Sequence, residues 1–108
     1  DPRVTALSGY LFQFQWKGNK ASRDDFVKAL RAEGIPCSPG YEPLHRMSML
    51  QDTAFEKATG RKFEQKDVLS AADELSQTAV WFTNNVLLAD AELIDKVVQA
   101  VRKVATQL

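Results

Sequence analysis

Residues 34 to 46 read GIPCSPGYEPLHR, a stretch that holds three of the chain's four prolines, two of its five glycines, its single cysteine and its single histidine. Each proline fixes its own φ near about −65° and removes a backbone donor, so the stretch can pair along the rim of a sheet but not within it. Any sheet built by this chain must therefore put Ile35 to Tyr41 at an edge and pass directly into a turn. Three readings fit such a stretch: a stiff connector, a nucleophile with its base, or the rim of a binding site.

The elements on either side follow from periodicity. Val4 to Trp16 predicts a strand, because Tyr10, Phe12, Phe14 and Trp16 alternate with Leu11, Gln13 and Gln15. Lys17-Gly18-Asn19-Lys20 breaks it. Ser22 with Asp25 three residues on forms a capping box, and Phe26, Ala29, Leu30 and Ala32 supply the apolar stripe of the helix that follows. Gly34 stands where that helix would end in a left-handed cap. Residues 47–67 read as a variable connecting segment with one short helix, Thr53 to Thr59. A helix over Val68 to Thr78 carries Val68, Ala71, Ala72 and Leu75 on one face. Ala79 to Phe82 predicts a buried strand and Val86 to Leu88 a second short extended piece. The last helix has Asp90 as N-cap and a stripe of Ile94, Val97, Val98, Val101, Val104 and Leu108. The order predicts an α+β fold: a small open, mostly antiparallel sheet of three or four strands with helices packed mainly on one face.

Composition narrows the function classes. Fourteen basic residues balance fourteen acidic ones, so no net field draws the chain to nucleic acid or to an anionic membrane. No apolar run approaches the roughly 20 residues of a membrane span. A length of 108 residues with 44% apolar content fits a single domain, residues 1–108. The opening Asp1-Pro2-Arg3, without an initiator methionine, points to a fragment or a processed product. One cysteine cannot form an internal disulfide, which makes a cytoplasmic location the default.

Chemistry is sparse. Cys37 and His45 lie eight residues apart, so a thiol with an imidazole base is conceivable, but no Gly-rich oxyanion element or orienting carboxylate accompanies them. A lone cysteine beside prolines also reads as a small packed side chain. Zinc needs about four Cys or His ligands and the chain has two; Glu42 and Asp52 have no diagnostic spacing. The isolated glycines build no phosphate-binding loop. Trp81 and Phe82 could stack on a ligand, or simply pack in the core. The eight lysines, Lys17, Lys20, Lys28, Lys57, Lys62, Lys66, Lys96 and Lys103, all stand in polar contexts, whereas a Schiff-base lysine needs a desolvated pocket.

Several segments in order resemble a known family. These are Asp1-Pro2-Arg3-Val4-Thr5, the aromatic strand, Ser22-Arg23-Asp24-Asp25-Phe26 with Ala29 to Glu33, Gly34 to Tyr41, Pro43-Leu44, Ala79-Val80-Trp81 and Val86-Leu87-Leu88. Together they look like the C-terminal small domain of the pyridoxal-phosphate-dependent sugar aminotransferases of the DegT, DnrJ and StrS type, which are fold-type-I enzymes. The resemblance is poor from about Met47 to Asp67.

The resemblance implies a domain that is catalytically incomplete alone. The Schiff-base lysine and pyridoxal phosphate would belong to a preceding large domain of the same polypeptide, with none of the cofactor held by this chain by itself. The parent would be a homodimer moving an amino group from glutamate or glutamine to a keto sugar or cyclitol ketone. Tyr41-Glu42-Pro43-Leu44-His45 is similar to the family's Tyr-x-Pro-x-His segment near the substrate side of the cleft, which makes Tyr41 and His45 substrate-side candidates. Gly40 stands where many members have histidine, and Met47-Ser48-Met49 where a Gln-Pro pair is common. The alternative is a free-standing α+β binding or interaction module without enzymatic activity.

Overall fold

A computed structural model describes residues 9–18, 20–64 and 68–108. The expected strand over Val4 to Ser8, Asn19 of the break after it, and residues 65–67 of the connecting segment lie outside the described residues. Among the described residues the sheet has three strands: β1 (Leu11–Gln15), β2 (Cys37–Pro39) and β3 (Ala79–Thr83). Their order is β1-β3-β2, with both outer strands antiparallel to β3. The fold is therefore the small antiparallel α+β sheet that the sequence predicts, with the proline-bearing strand at an edge.

Helix α1 (Arg23–Ala32) starts at the capping box: Ser22 Oγ accepts from Asp25 N at 3.1 Å, and Asp25 Oδ2 accepts from Ser22 N at 3.3 Å. The Ser22 hydroxyl, donating to Asp25 Oδ2 at 2.6 Å, and then the Ser22 N–H hold the Asp25 carboxyl below its ordinary pKa. A depressed carboxyl pKa means the cap favours folding above the unfolded value and loses that contribution as pH falls through the folded one. The helix ends where Gly34 takes φ +83°, a left-handed conformation that strains any residue with a Cβ.

The core lies between one sheet face and two helices, α1 and α6 (Ala91–Gln107). Register puts Phe14 opposite Val80, and both Phe12 and Cys37 opposite Phe82, on that face. Phe26, Val27, Leu30 and Val104 meet them from the helices. Trp16 stacks on Phe26 with centroids 4.1 Å apart, and Phe14 meets the same ring edge-on at 6.3 Å. Asp90 caps α6 through Leu93 N, and Val97, Val101 and Leu108 pack against the core while Val98 turns partly outward.

Four expectations need correction. Val86 to Leu88 is not extended: Asn84–Leu87 forms a helical turn, α5, that directs Val86 into the core. A run of three apolar residues has no period, so its length alone could not separate strand from helix. Ala32 is exposed and Val27 is the buried residue beside Phe26 and Leu30. Helix α4 spans Ser70–Thr78, so Val68 precedes it, and Val68, Ala71, Ala72 and Leu75 are all exposed. The strand expected to reach Trp16 ends at Gln15, although Trp16 N still donates to Thr78 O at 2.8 Å. The connecting segment holds α3 at Thr53–Thr59 as expected, preceded by the single turn α2 (Ser48–Gln51).

Candidate functional site

The second face of the sheet carries Gln13, Trp81 and Ser38, which share one register row. The proline-rich stretch crosses toward it immediately after β2. Gly40 N donates to Ala79 O at 3.1 Å, and a Cβ on residue 40 would lie 2.9 Å from Ala79 Cβ. Only glycine lets the loop run this close to β3, which explains the residue that stands there. The loop then places the Tyr41 ring edge-on against Trp81, with centroids 4.4 Å apart and planes at 89°.

Tyr41 is 76% exposed, so its ring forms one wall of an open groove whose other sides come from Gln13, Leu44, Ala72, Leu75 and Trp81. Trp81 Nε1 is buried there without an acceptor among the described residues. An unpaired buried donor costs about 1–3 kcal/mol, an expense that ordinary core packing avoids. Trp81 thus serves neither expectation fully: it is half-buried on the second face, while Phe82 is core.

His45 sits in a 3-10 turn, Leu44–Arg46, closed by Arg46 N donating to Pro43 O at 2.9 Å and Met47 N to Leu44 O at 3.1 Å. Gln51 Nε2 donates to His45 O at 3.0 Å and so ties the turn to α2. The imidazole does not line the groove. Its side chain is 12% exposed, and its Nε2 lies 3.0 Å from Asp73 Oδ1 on α4. Arg46 Nε reaches the same oxygen at 2.7 Å. The neighbouring Arg46 guanidinium, and then His45, hold the Asp73 carboxyl below the usual carboxylate range. Tyr41 and His45 therefore both stand where the loop meets β3 and α4, one in the groove and one latched to the helix. Sequence reasoning missed Asp73 and Arg46. A carboxylate 28 residues from its histidine leaves no local signal.

Cys37 does not join His45. Its side chain points into the core, with Sγ 3.7 Å from Val27 O, and burial pushes its thiol pKa up against the lowering effect of Arg31. A buried thiol kept protonated is a poor nucleophile. Iodoacetamide at neutral pH should modify the native chain at least about 100-fold more slowly than the urea-unfolded chain, a ratio set by the opening equilibrium. Comparable rates in the two states would return Cys37 to the nucleophile reading.

Among the described residues no group of three or more His, Cys, Asp or Glu side chains is placed to hold a metal, and no helix is long and apolar enough to cross a membrane. Every described lysine is exposed, and Lys17, Lys96 and Lys103 are engaged with Glu74, Glu92 and Glu33. None stands in a desolvated pocket.

A small antiparallel α+β domain with one groove beside a proline-stiffened loop is what fold and site define. No family model and no solved structure matches the sequence significantly. Over 118 aligned positions, covering 96% of this chain, it is 31% identical to a protein of Streptoalloteichus tenebrarius provisionally named L-glutamine:3-amino-2,3-dideoxy-scyllo-inosose aminotransferase. The chain spans 28% of that protein's length. The chain is thus related to part of an aminotransferase.

Proposed function

We propose that this chain is the C-terminal small domain of a pyridoxal-phosphate-dependent aminotransferase of the DegT, DnrJ and StrS type. The parent moves an amino group from glutamate or glutamine to a keto sugar or cyclitol ketone, as a homodimer whose large domain precedes this one. The observation that carries the reading is the similarity itself, which runs through nearly the whole chain yet matches about a quarter of the relative.

Exposed apolar side chains support it: Leu44, Leu75, Leu88 and Leu93 are among those left open on the described surface. A domain that normally docks against more polypeptide would carry such side chains.

The described residues do not fit pyridoxal phosphate by themselves, since no lysine is desolvated and no glycine-rich phosphate cradle exists. In the proposed parent this domain instead shapes the acceptor side of the cleft: Tyr41 walls it and the His45 turn positions a hydrogen-bonding ring beside it. Borohydride reduction in the presence of pyridoxal phosphate, followed by peptide mapping, tests the division of labour. The full-length polypeptide should carry one stoichiometric label on a lysine outside residues 1–108. A stoichiometric label on a lysine within them, or none anywhere, overturns the proposal; low scattered labelling of the isolated chain is the expected background.

A further inference from the structure

We propose that Asp73 is a positioning residue that fixes the tautomer and aim of His45, so that the ring offers Nδ1 as a hydrogen-bond acceptor to a ligand hydroxyl. The ligand part of this statement rests on the reading of the loop as the substrate side; the tautomer part does not.

Asp73 Oδ1 receives Arg46 Nε at 2.7 Å and faces His45 Nε2 at 3.0 Å. With a guanidinium on it, and with its pKa held down, the carboxyl is ionised at neutral pH. An ionised carboxylate only accepts. The contact with Nε2 is then a hydrogen bond only if Nε2 carries the proton, and in a neutral imidazole that leaves the lone pair on Nδ1. Nδ1 has no hydrogen-bond partner among the described residues. The Gln51 bond to His45 O and the two backbone bonds of the 3-10 turn hold the ring's base, so two ends of the residue are fixed. A polyhydroxylated ring, such as a sugar or cyclitol, presents hydroxyl donors at its rim, and a neutral acceptor can take one without demanding a charge.

The chain contains a single histidine, which makes the test direct. Long-range proton–nitrogen NMR on the ¹⁵N-labelled chain, about two pH units above the ordinary imidazole value, reads the two ring nitrogens of the neutral form. The expected wild-type spectrum shows one tautomer, with the proton on Nε2. In Asp73→Ala the share with the proton on Nδ1 should rise about tenfold, as a charge-assisted bond is lost. Should Asp73→Ala fail to fold, Asp73→Leu keeps the volume while offering Nε2 no acceptor, and the same rise is expected. A wild-type ring protonated mainly on Nδ1, or an unchanged ratio in a folded variant, overturns the assignment.

A second readout separates this from the substrate-side reading. In the full-length polypeptide Asp73→Ala, or Asp73→Leu, should slow the half-reaction with the keto acceptor and spare that with the amino donor. A shifted tautomer with both half-reactions unaltered would sustain the positioning of the ring and overturn its contact with substrate.

Discussion

Phe26→Ala is expected to destabilise the domain by about 3–5 kcal/mol. Phe26 is 1% exposed and packs on two aromatic neighbours, stacked on Trp16 and edge-on to Phe14. Truncation removes its own buried surface and also the support of both rings, which a neighbouring side chain cannot refill. A domain of this length has a net stability of about 5–15 kcal/mol, so this one change takes a fifth or more of it. Urea denaturation followed by far-UV circular dichroism measures the loss as a lowered midpoint. Leu88→Ala is the matched control, because Leu88 is 80% exposed and its truncation should stay within about 0.5 kcal/mol. A cost below about 1 kcal/mol at Phe26 would contradict the core described above.

His45→Ala should act on chemistry rather than on folding. If the full-length polypeptide is the aminotransferase proposed above and His45 meets its keto acceptor, loss of that one hydrogen bond is expected to lower kcat/KM for the acceptor about 5- to 150-fold. Asp73 keeps Arg46 as a partner after the substitution, so no carboxylate is stranded and α4 remains attached to the loop through that pair. On that proposal the half-reaction with the amino donor would not engage the acceptor's ring and should proceed at nearly its normal rate. Stopped-flow measurement of the two half-reactions separately reads the difference. Equal losses in both would mean that the loop or its domain had shifted, and no loss in either would leave the stretch as a stiff connector.

Much of the fold was legible because it is written locally. The Ser22–Asp25 box, the left-handed Gly34, the helix at Thr53–Thr59 and the Asp90 cap each depend on residues within about one turn of one another. The prolines placed β2 at an edge for an equally local reason. What failed was decided at a distance. The apolar residues of α4 looked like a core stripe, since periodicity reports that a helix has an apolar face but not what covers it. Val86 entered a helical turn because the core needed it there, against a run too short to show a period. Tyr41 and His45 were singled out through resemblance, and the structure adds their setting: the Trp81 ring and the Asp73 latch, both far from them in sequence, and the groove that Trp81 and α4 complete.

The order β1-β3-β2 has a consequence for how the domain comes into being. The two outer strands are made first, point the same way, and never pair with each other; the strand that joins them spans Ala79–Thr83, near the end of the chain. A nascent chain that has emerged only as far as Thr78 therefore holds α1 between two strands with an empty slot. Its two open edges are then ready templates for other chains. The sheet can close only once β3 is inserted, and the core only when α6 follows it. A truncation ahead of Ala79 leaves no smaller version of the fold behind it, because the residue rows that would hold the sheet together have not yet been made.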